Sequence, residues 1–305
     1  MNNLKPINQI KIKKDQTVDS LIKELGSCGF NAGKLSRAVD IYEDMIKDKD
    51  CKIFFGLAGA LVPAGMKNII IDLIENNFID IFVTTGANLT HDLIEALGNK
   101  HYQGTEKADD VKLNKKGINR IYNVFMKNDV YKSLEDFFNK NFDNLKDTKN
   151  IREFLFELGK LTPKDSILNT CYRKNIPIFC PAISDSGIGL MVWNNLVKNK
   201  QIQTNAFDDL KEILDLAWTC KKAGVVYIGG GTPKNYIQQA MQFTKGAYYG
   251  IQITLDREET GGSSGAKLKE SISWGKLNEK AKFTNVTCDA TIALPLVLAS
   301  LKSRF

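Results

Sequence analysis

Residues 271–277 read SISWGKL, with Lys276 two positions after Trp274 and only Gly275 between them. A lysine amine is a nucleophile toward an imine or carbonyl carbon once burial or cationic neighbours weaken its preference for charge. An indole beside it supplies an apolar wall and a face that holds a cation. Ordinary solvated surface explains the same lysine, because that is where the residue type usually sits. The preceding stretch, DREETGGSSGAKLKE (256–270), is glycine-rich without an apolar run and reads as a loop.

Three other segments put polar residues directly after apolar runs. In VVYIGGGTPKNYIQQ (225–239), Gly229, Gly230 and Gly231 let a backbone approach a ligand. Thr232 then reads as a helix N-cap and Pro233 as the first helical residue. The helix N-terminus behind the glycines favours an anion such as pyrophosphate. A tight strand-to-helix connection without ligand explains the pattern too, since it is not GxGxxG. Lys234 would face either a phosphate or solvent. VTTGANLTHDL (83–93) ends a strand in threonines, a glycine and an asparagine, with a helix expected to start near Thr90. CPAISDSGIGL (180–190) sets Asp185 between Ser184 and Ser186.

Composition argues against several other chemistries. The six cysteines (Cys28, Cys51, Cys171, Cys180, Cys220, Cys288) form no CxxC pair and read as free thiols, several of them buried. His91 and His101 are the only histidines, which speaks against a zinc site, and no metal is expected. There is no GxSxG elbow for a serine hydrolase. The net charge of +7 comes from 42 Lys and Arg against 35 acids. Those lysines are spread without aromatic interleaving, so a solvated surface is expected rather than nucleic-acid binding. No run of 18 apolar residues points to a membrane span. The polar, basic start MNNLKPINQIKIKKDQT lacks the apolar core of a secretory signal, so a cytoplasmic protein is expected.

The elements that must position these residues follow from apolar patterning. Continuous apolar runs at 52–62, 79–87, 176–183, 224–231 and 248–255 suit strands covered on both faces. Segments of helical period lie between them, including MKNIIIDLIENN, DVYKSLEDFFNKNFDNL and DDLKEILDLAWTCKKA. The alternation predicts an α/β, Rossmann-like fold with a mainly parallel sheet and helices on both faces. We expect an N-terminal arm over 1–20 and a single large domain over 21–305, with a helical insertion at about 100–170. Ligands of such folds bind where strand C-termini meet helix N-termini.

In order and spacing, VTTGAN…HDLIEALG, GTEKADDVKLNKKGINRIYNVFM, IPIFCPAISDSGIGL, YIGGGTPKN, GGSSGAKLKESISWGKL and TCDATIALPLVLASL resemble the deoxyhypusine synthase family. The resemblance runs from about residue 50 to the C-terminus, is closer to archaeal and bacterial members, and has SWGK as its most specific element. It implies an NAD-dependent transfer of a 4-aminobutyl group from spermidine, with Lys276 as the lysine that carries the group as an imine. The acceptor it implies is a lysine on the precursor of translation initiation factor 5A. It also implies a homotetramer with sites built across subunits. NAD contacts carry over to Thr85, Gly86, Ala87, Asp185, Gly229, Gly230, Gly231, Asp289 and Ala290. Asp289 is placed to accept from a ribose hydroxyl, although a helix cap before ATIALPLVL would explain it as well. Gly59 to Pro63 occupy the family's first NAD-contacting turn, where GALVP differs from the Ser-Asn type of eukaryotic members.

The amine pocket departs from the eukaryotic pattern. His91 stands for a glutamate, Leu190 and Ser263 for aspartates, and Asn235 for a histidine. Glu270 keeps its place and Trp274 its role as the wall for a polyamine. A desolvated ammonium needs a charged partner. Asp256, Glu258 and Glu259 on the preceding loop are candidates to restore the lost charge. His91 could shuttle protons near neutral pH, or be a helix-start histidine satisfied by backbone. Two further readings stay open. One is transfer to a small amine such as putrescine, giving homospermidine. The other is a non-catalytic NAD-binding partner of an active paralogue, which the intact SWGK disfavours.

Overall fold

The structure, a computed structural model, describes residues 5–305. Residues 1–4 of the expected arm lie outside the described residues; residues 5–15 are exposed and contain neither helix nor strand. Helices α1 (Val18–Leu25) and α2 (Phe30–Lys47) lead into β1 (Cys51–Leu57). Then come α3 (Lys67–Glu75), β2 (Ile81–Thr84) and α4 (Gly86–Ala96). They are followed by β3 (Tyr102–Gln103), α5 (Asp110–Lys115), β4 (Ile118–Ile121) and β5 (Val124–Lys127). Helices α6 (Val130–Leu145), α7 (Ile151–Leu161) and α8 (Ile167–Lys174) precede β6 (Ile178–Phe179) and α9 (Gly187–Val197). Next are α10 (Ala206–Thr219), β7 (Lys222–Ile228), α11 (Gly231–Gln242) and β8 (Ala247–Thr254). Strand β9 (Leu277–Thr287) and α12 (Ala290–Lys302) complete the chain.

Contacts group the chain into two compact units. The first runs up to Leu57 and includes 78–80 and 213–305; the second holds 58–77 and 81–212. In the first unit β1, β7, β8 and β9 form consecutive parallel pairs in that order. Both faces of these strands are covered. Gly224, opposite Ile53 in the register, sits where a Cβ would come within 2.8 Å of Met45 on α2. Gly56, three residues on from Ile53, sits where a Cβ would come within 3.2 Å of Ile237 on α11. Alternation along a strand therefore puts α2 and α11 on opposite faces. That cover is why Phe54, Phe55, Val225, Val226 and Tyr227 form unbroken apolar runs, all of them buried.

Strand β9 is not announced by the apolar pattern. It lies at the end of the strand order and carries Glu279, Lys280 and Lys282. Charged residues of this kind protect an edge from pairing with another chain. In the second unit β2 pairs parallel with β6 through Phe82 with Ile178 and Val83 with Phe179. The stretch expected as a helical insertion does contain α5, α6 and α7, but also a small antiparallel sheet in the order β3-β5-β4. Strands of two and four residues are too short to show a period, and the turn between β4 and β5 is Tyr122-Asn123, not an Asn-Gly signal. The α/β class with parallel-paired strands flanked by helices is the one expected.

Candidate functional site

The register aligns Leu57, Ile228, Ile253 and Val286 at the carboxyl edge of the first unit's strands. Gly229–Gly231 leave β7 at this edge, and Asp289 and Ala290 follow β9 there. Gly229 and Gly231 have φ of 73° and 51°, which glycine adopts at little cost. A Cβ on Gly230 would lie 2.3 Å from Ser264 Cα, whereas one on Gly231 would meet nothing within 4 Å. The turn is thus packed at Gly230 and open at Gly231. Helix α11 begins at Gly231, and its N-cap, Gly230, provides no side-chain cap. Thr232 is therefore not the cap, and Pro233 is the third helical residue, because the glycines let the helix start earlier. The uncapped first turn and the open Gly231 fit the pyrophosphate of a dinucleotide.

Lys234 faces neither phosphate nor solvent. It is 1% exposed, and its Nζ donates to Gln252 Oε1 (3.0 Å), Ser263 O (2.6 Å) and Ala266 O (2.6 Å). Gln252 Nε2 donates to Gly229 O (3.1 Å) and Ser264 O (2.8 Å), and Asn285 Nδ2 donates to Gln252 Oε1 (3.1 Å). Burial pulls the Lys234 pKa down to about 8, with the charge of Glu270 opposing. It therefore remains an ammonium at neutral pH. This network binds the glycine turn to the GGSSGA loop. Farther along α11, Gln238 Nε2 donates to Ser271 Oγ (2.7 Å), holding the far end of the same segment. Sequence reading missed Gln252 and Asn285; the available hint was a glutamine inside the apolar run YYGIQITL.

Lys276 lies at the other edge. Leu277 pairs with Ala247, the first residue of β8, and Lys276 O accepts from Ala247 N (3.2 Å). Helix α11, 12 residues long, is about 18 Å from the glycine turn to its end at 1.5 Å per residue. The segment from Ser263 to Gly275 follows α11 from its first turn to the neighbourhood of Gln242. Gly275, at φ 70°, makes the tight turn that brings Lys276 back over Trp274. The Lys276 Nζ stands 4.9 Å from the indole centroid, and Trp274 is 58% exposed. The cation on the indole is therefore Lys276 itself. Asn235 and Glu270 are both exposed, on α11 and on the segment before Trp274. Asp289 caps α12: its Oδ1 accepts from Thr291 N (2.7 Å) and Thr291 Oγ1 (2.6 Å).

In the second unit, α4 begins at Gly86 rather than near Thr90, because Thr85 is its N-cap and accepts from Asn88 N (3.3 Å). Thr85 Oγ1 donates to Gly59 O (2.7 Å). Buried Asn88 accepts from Leu61 N (2.8 Å) and Val62 N (3.3 Å), and donates to Gly59 O (3.2 Å). The GALVP turn and the Thr85 turn are thus one assembly, held by the asparagine of VTTGANLTHDL, whose role as a tie the sequence does not reveal. A Cβ on Gly86 would lie 2.4 Å from Ser186 Cβ, so the Asp185 loop packs against it. Asp185 itself is exposed, as is Leu190.

His91 sits within α4, satisfied by a side chain and not by backbone. Its Nδ1 is 2.9 Å from His101 Nε2, and His101 Nδ1 is 2.8 Å from Glu95 Oε1. Lys67 Nζ is 2.9 Å from Glu95 Oε2. Burial, with the nearby His101, lowers the His91 pKa to about 4. A shuttle titrating near neutrality is thereby corrected to an imidazole that is neutral there. All six cysteines are free, with Cys51, Cys171 and Cys180 buried.

A family model described as deoxyhypusine synthase matches residues 20–301. The chain belongs to the deoxyhypusine synthase family. That family comprises NAD-dependent aminobutyltransferases, so the chain is an enzyme of this class. A Methanosarcina mazei relative named "Probable deoxyhypusine synthase 1" is 45% identical over 98% of this chain and 95% of its own length. An Archaeoglobus fulgidus relative of the same name is 41% identical over 96% and 97%. A crystal structure carrying the deoxyhypusine synthase name, from Entamoeba histolytica, superposes with a TM-score of 0.63 at 16% identity. It covers 95% of this chain and 96% of that one, which shows a shared fold. Among the described residues no helix is long and apolar enough to cross a membrane, and no acidic, histidine and cysteine cluster could hold a metal.

Proposed function

We propose that this chain makes deoxyhypusine by moving the 4-aminobutyl group of spermidine to a lysine of the translation initiation factor 5A precursor. The observation that carries the reading is Lys276 in its full SWGK context, turned by Gly275 onto Trp274. The Lys276 amine attacks the imine carbon formed beside spermidine's secondary nitrogen. The carbon–nitrogen bond to 1,3-diaminopropane breaks, and the four-carbon group is left on Lys276 as an imine. The acceptor lysine then displaces Lys276 from that carbon. NAD, when bound, supplies the acceptor for the first hydride and its return to the new imine. Gly229, Gly230 and Gly231 would hold its pyrophosphate, with Thr85, Gly86, Ala87, Asp185, Asp289 and Ala290 as the other contacts. His91, Asn235, Glu270 and Trp274 would line the amine pocket.

The proposal includes a cytoplasmic homotetramer with shared sites. Two observations support shared sites. Lys276 and the glycine turn lie at opposite edges of one unit's strands. On α9, Trp193 and Val197 are 60% and 64% exposed beside Leu190 and Leu196, an apolar face suited to a second copy. The test is product analysis with NAD, isotope-labelled spermidine and either the factor 5A precursor or putrescine. Label on a precursor lysine is expected. Label in homospermidine alone would overturn the protein-acceptor reading.

A further inference from the structure

We propose that His91 is held as a neutral acceptor, with the lone pair on Nε2, by a relay through His101 to Glu95, and that it accepts from an amine or ammonium group of the polyamine. The proposal rests on placing His91 in the amine pocket and explains how the pocket works without the carboxylate that eukaryotic members have there.

The tautomers follow from the hydrogen bonds. Glu95 Oε2 already takes the ammonium of Lys67 at 2.9 Å. Although burial works against it, the bonds from His101 and Lys67 hold the Glu95 carboxyl below its usual range. An ionised carboxylate can only accept, so the proton on His101 is on Nδ1, 2.8 Å from Glu95 Oε1. The proposal takes His101 as neutral, so its Nε2 carries a lone pair and accepts. The partner 2.9 Å away is His91 Nδ1, which must be the donor. That leaves the His91 lone pair on Nε2. Among the described residues this atom has no hydrogen-bond partner, and it is not one of the buried orphan atoms, so it reaches solvent.

The relay uses residues one helical turn apart. His91 and Glu95 are i and i+4 on α4, a spacing that puts side chains on one face. Both imidazoles and the carboxylate are thereby aligned, with the rings edge to face at 4.8 Å. The negative charge that a glutamate would bring to the pocket stands one turn back and is transmitted as hydrogen-bond polarity. When the bound group stays an ammonium, His91 accepts one hydrogen bond. When it gives up a proton, that proton enters His91 at Nε2, the Nδ1 proton passes to His101 Nε2, and the His101 Nδ1 proton passes to Glu95. Glu95 and Lys67 line a cavity of about 720 Å³ together with Val62, Asn68, Asp72 and Asp165, so the far end of the relay meets solvent. Asp92, next to His91, turns away and accepts from Ile167 N (2.8 Å) and Leu168 N (2.9 Å). The charged and titratable groups around His91 are thus His101, Glu95, Lys67 and Asp92, with Asp72 and Asp165 at the cavity.

Two histidines in the chain make a direct test practical, since a histidine-labelled sample has four ring nitrogens. Nitrogen-15 spectra of the NAD-bound protein at pH 7 should show both histidines neutral and protonated at Nδ1. A proton on His91 Nε2 would overturn the relay. Added spermidine should shift His91 Nε2 and leave His101 Nδ1 on its carboxylate. An unmoved Nε2 at saturating spermidine would overturn the substrate contact. Glu95→Gln should release the tautomers into a mixture and raise the KM for spermidine about tenfold, the scale of one hydrogen bond to a charged group, with kcat less affected. Unchanged tautomers and KM in that variant would count against the relay. The tautomers are read without turnover, so failure of the transfer reaction and failure of the relay are separate results.

Discussion

At the scale of single residues, two lysines show opposite degrees of legibility. Lys276 was legible because SWGK is a local motif, and its neighbours in sequence, Trp274 and Gly275, are its neighbours in space. Lys276→Ala should reduce transfer to background while NAD still binds, measured by turnover and by nicotinamide-cofactor titration of the same sample. Turnover near wild type in that variant would remove the lysine-imine mechanism. Lys234 was misread because its three acceptors come from Gln252, Ser263 and Ala266, 18 to 32 positions away. Lys234→Met keeps the length but takes the donor from Ser263 O and Ala266 O, while Gln252 Oε1 keeps the bond from Asn285; each buried group left unpaired costs about 1–3 kcal/mol. A lower melting temperature and weaker NAD binding are expected together, since the same network holds the glycine turn. Loss of neither would show that water replaces the ammonium.

Among the elements, the strands covered on both faces were visible in the apolar runs, and the helix starts were not. Helix α11 is capped two residues before the expected Thr232 and α4 starts about four residues before Thr90, because cap geometry depends on backbone angles that glycine-rich turns leave open. Helices α1, α2 and α12 illustrate a tie that no periodicity could reveal. Asp19 on α1 accepts from Ser300 Oγ (2.7 Å) on α12 and from Arg304 Nε (2.7 Å) just beyond it. Arg304 Nη1 also donates to Asp40 (2.8 Å) and Glu43 (2.6 Å) on α2. Burial alone would raise the Asp19 pKa, but the bonds from Lys23, Arg304 and Ser300 win and hold the carboxyl well below its usual range. A depressed carboxylate stabilises the fold above its unfolded pKa of about 3.9, and that contribution is lost as pH falls from there toward the folded value. Denaturant unfolding between pH 5 and pH 2 should show this loss. Asp19→Asn should cost about 1–3 kcal/mol at pH 7 and flatten the acid slope; an unchanged slope would mean that the tie contributes nothing.

For the whole molecule, the proposal to test is that two copies share their sites. If Lys276 of one copy serves the glycine turn of another, Lys276→Ala and Gly231→Asp chains should each be inactive alone. Mixed by unfolding and reassembly, they should recover roughly a quarter of wild-type turnover, because half of the pairs are mixed and one of two sites in each is intact. No recovery from mixed assemblies confirmed by mass would place each site within one copy. The sequence by itself determined the α/β class, the carboxyl-edge glycine turn and the family, since buried strands, glycine-dependent turns and SWGK are written in contiguous residues. Only the tertiary structure decided that Lys234 is a buried tie, that Asn88 joins two turns, and that His91 leans on His101 and Glu95. Each of those depends on which distant atom completes a buried hydrogen bond, and burial makes the partner obligatory without naming it in the sequence.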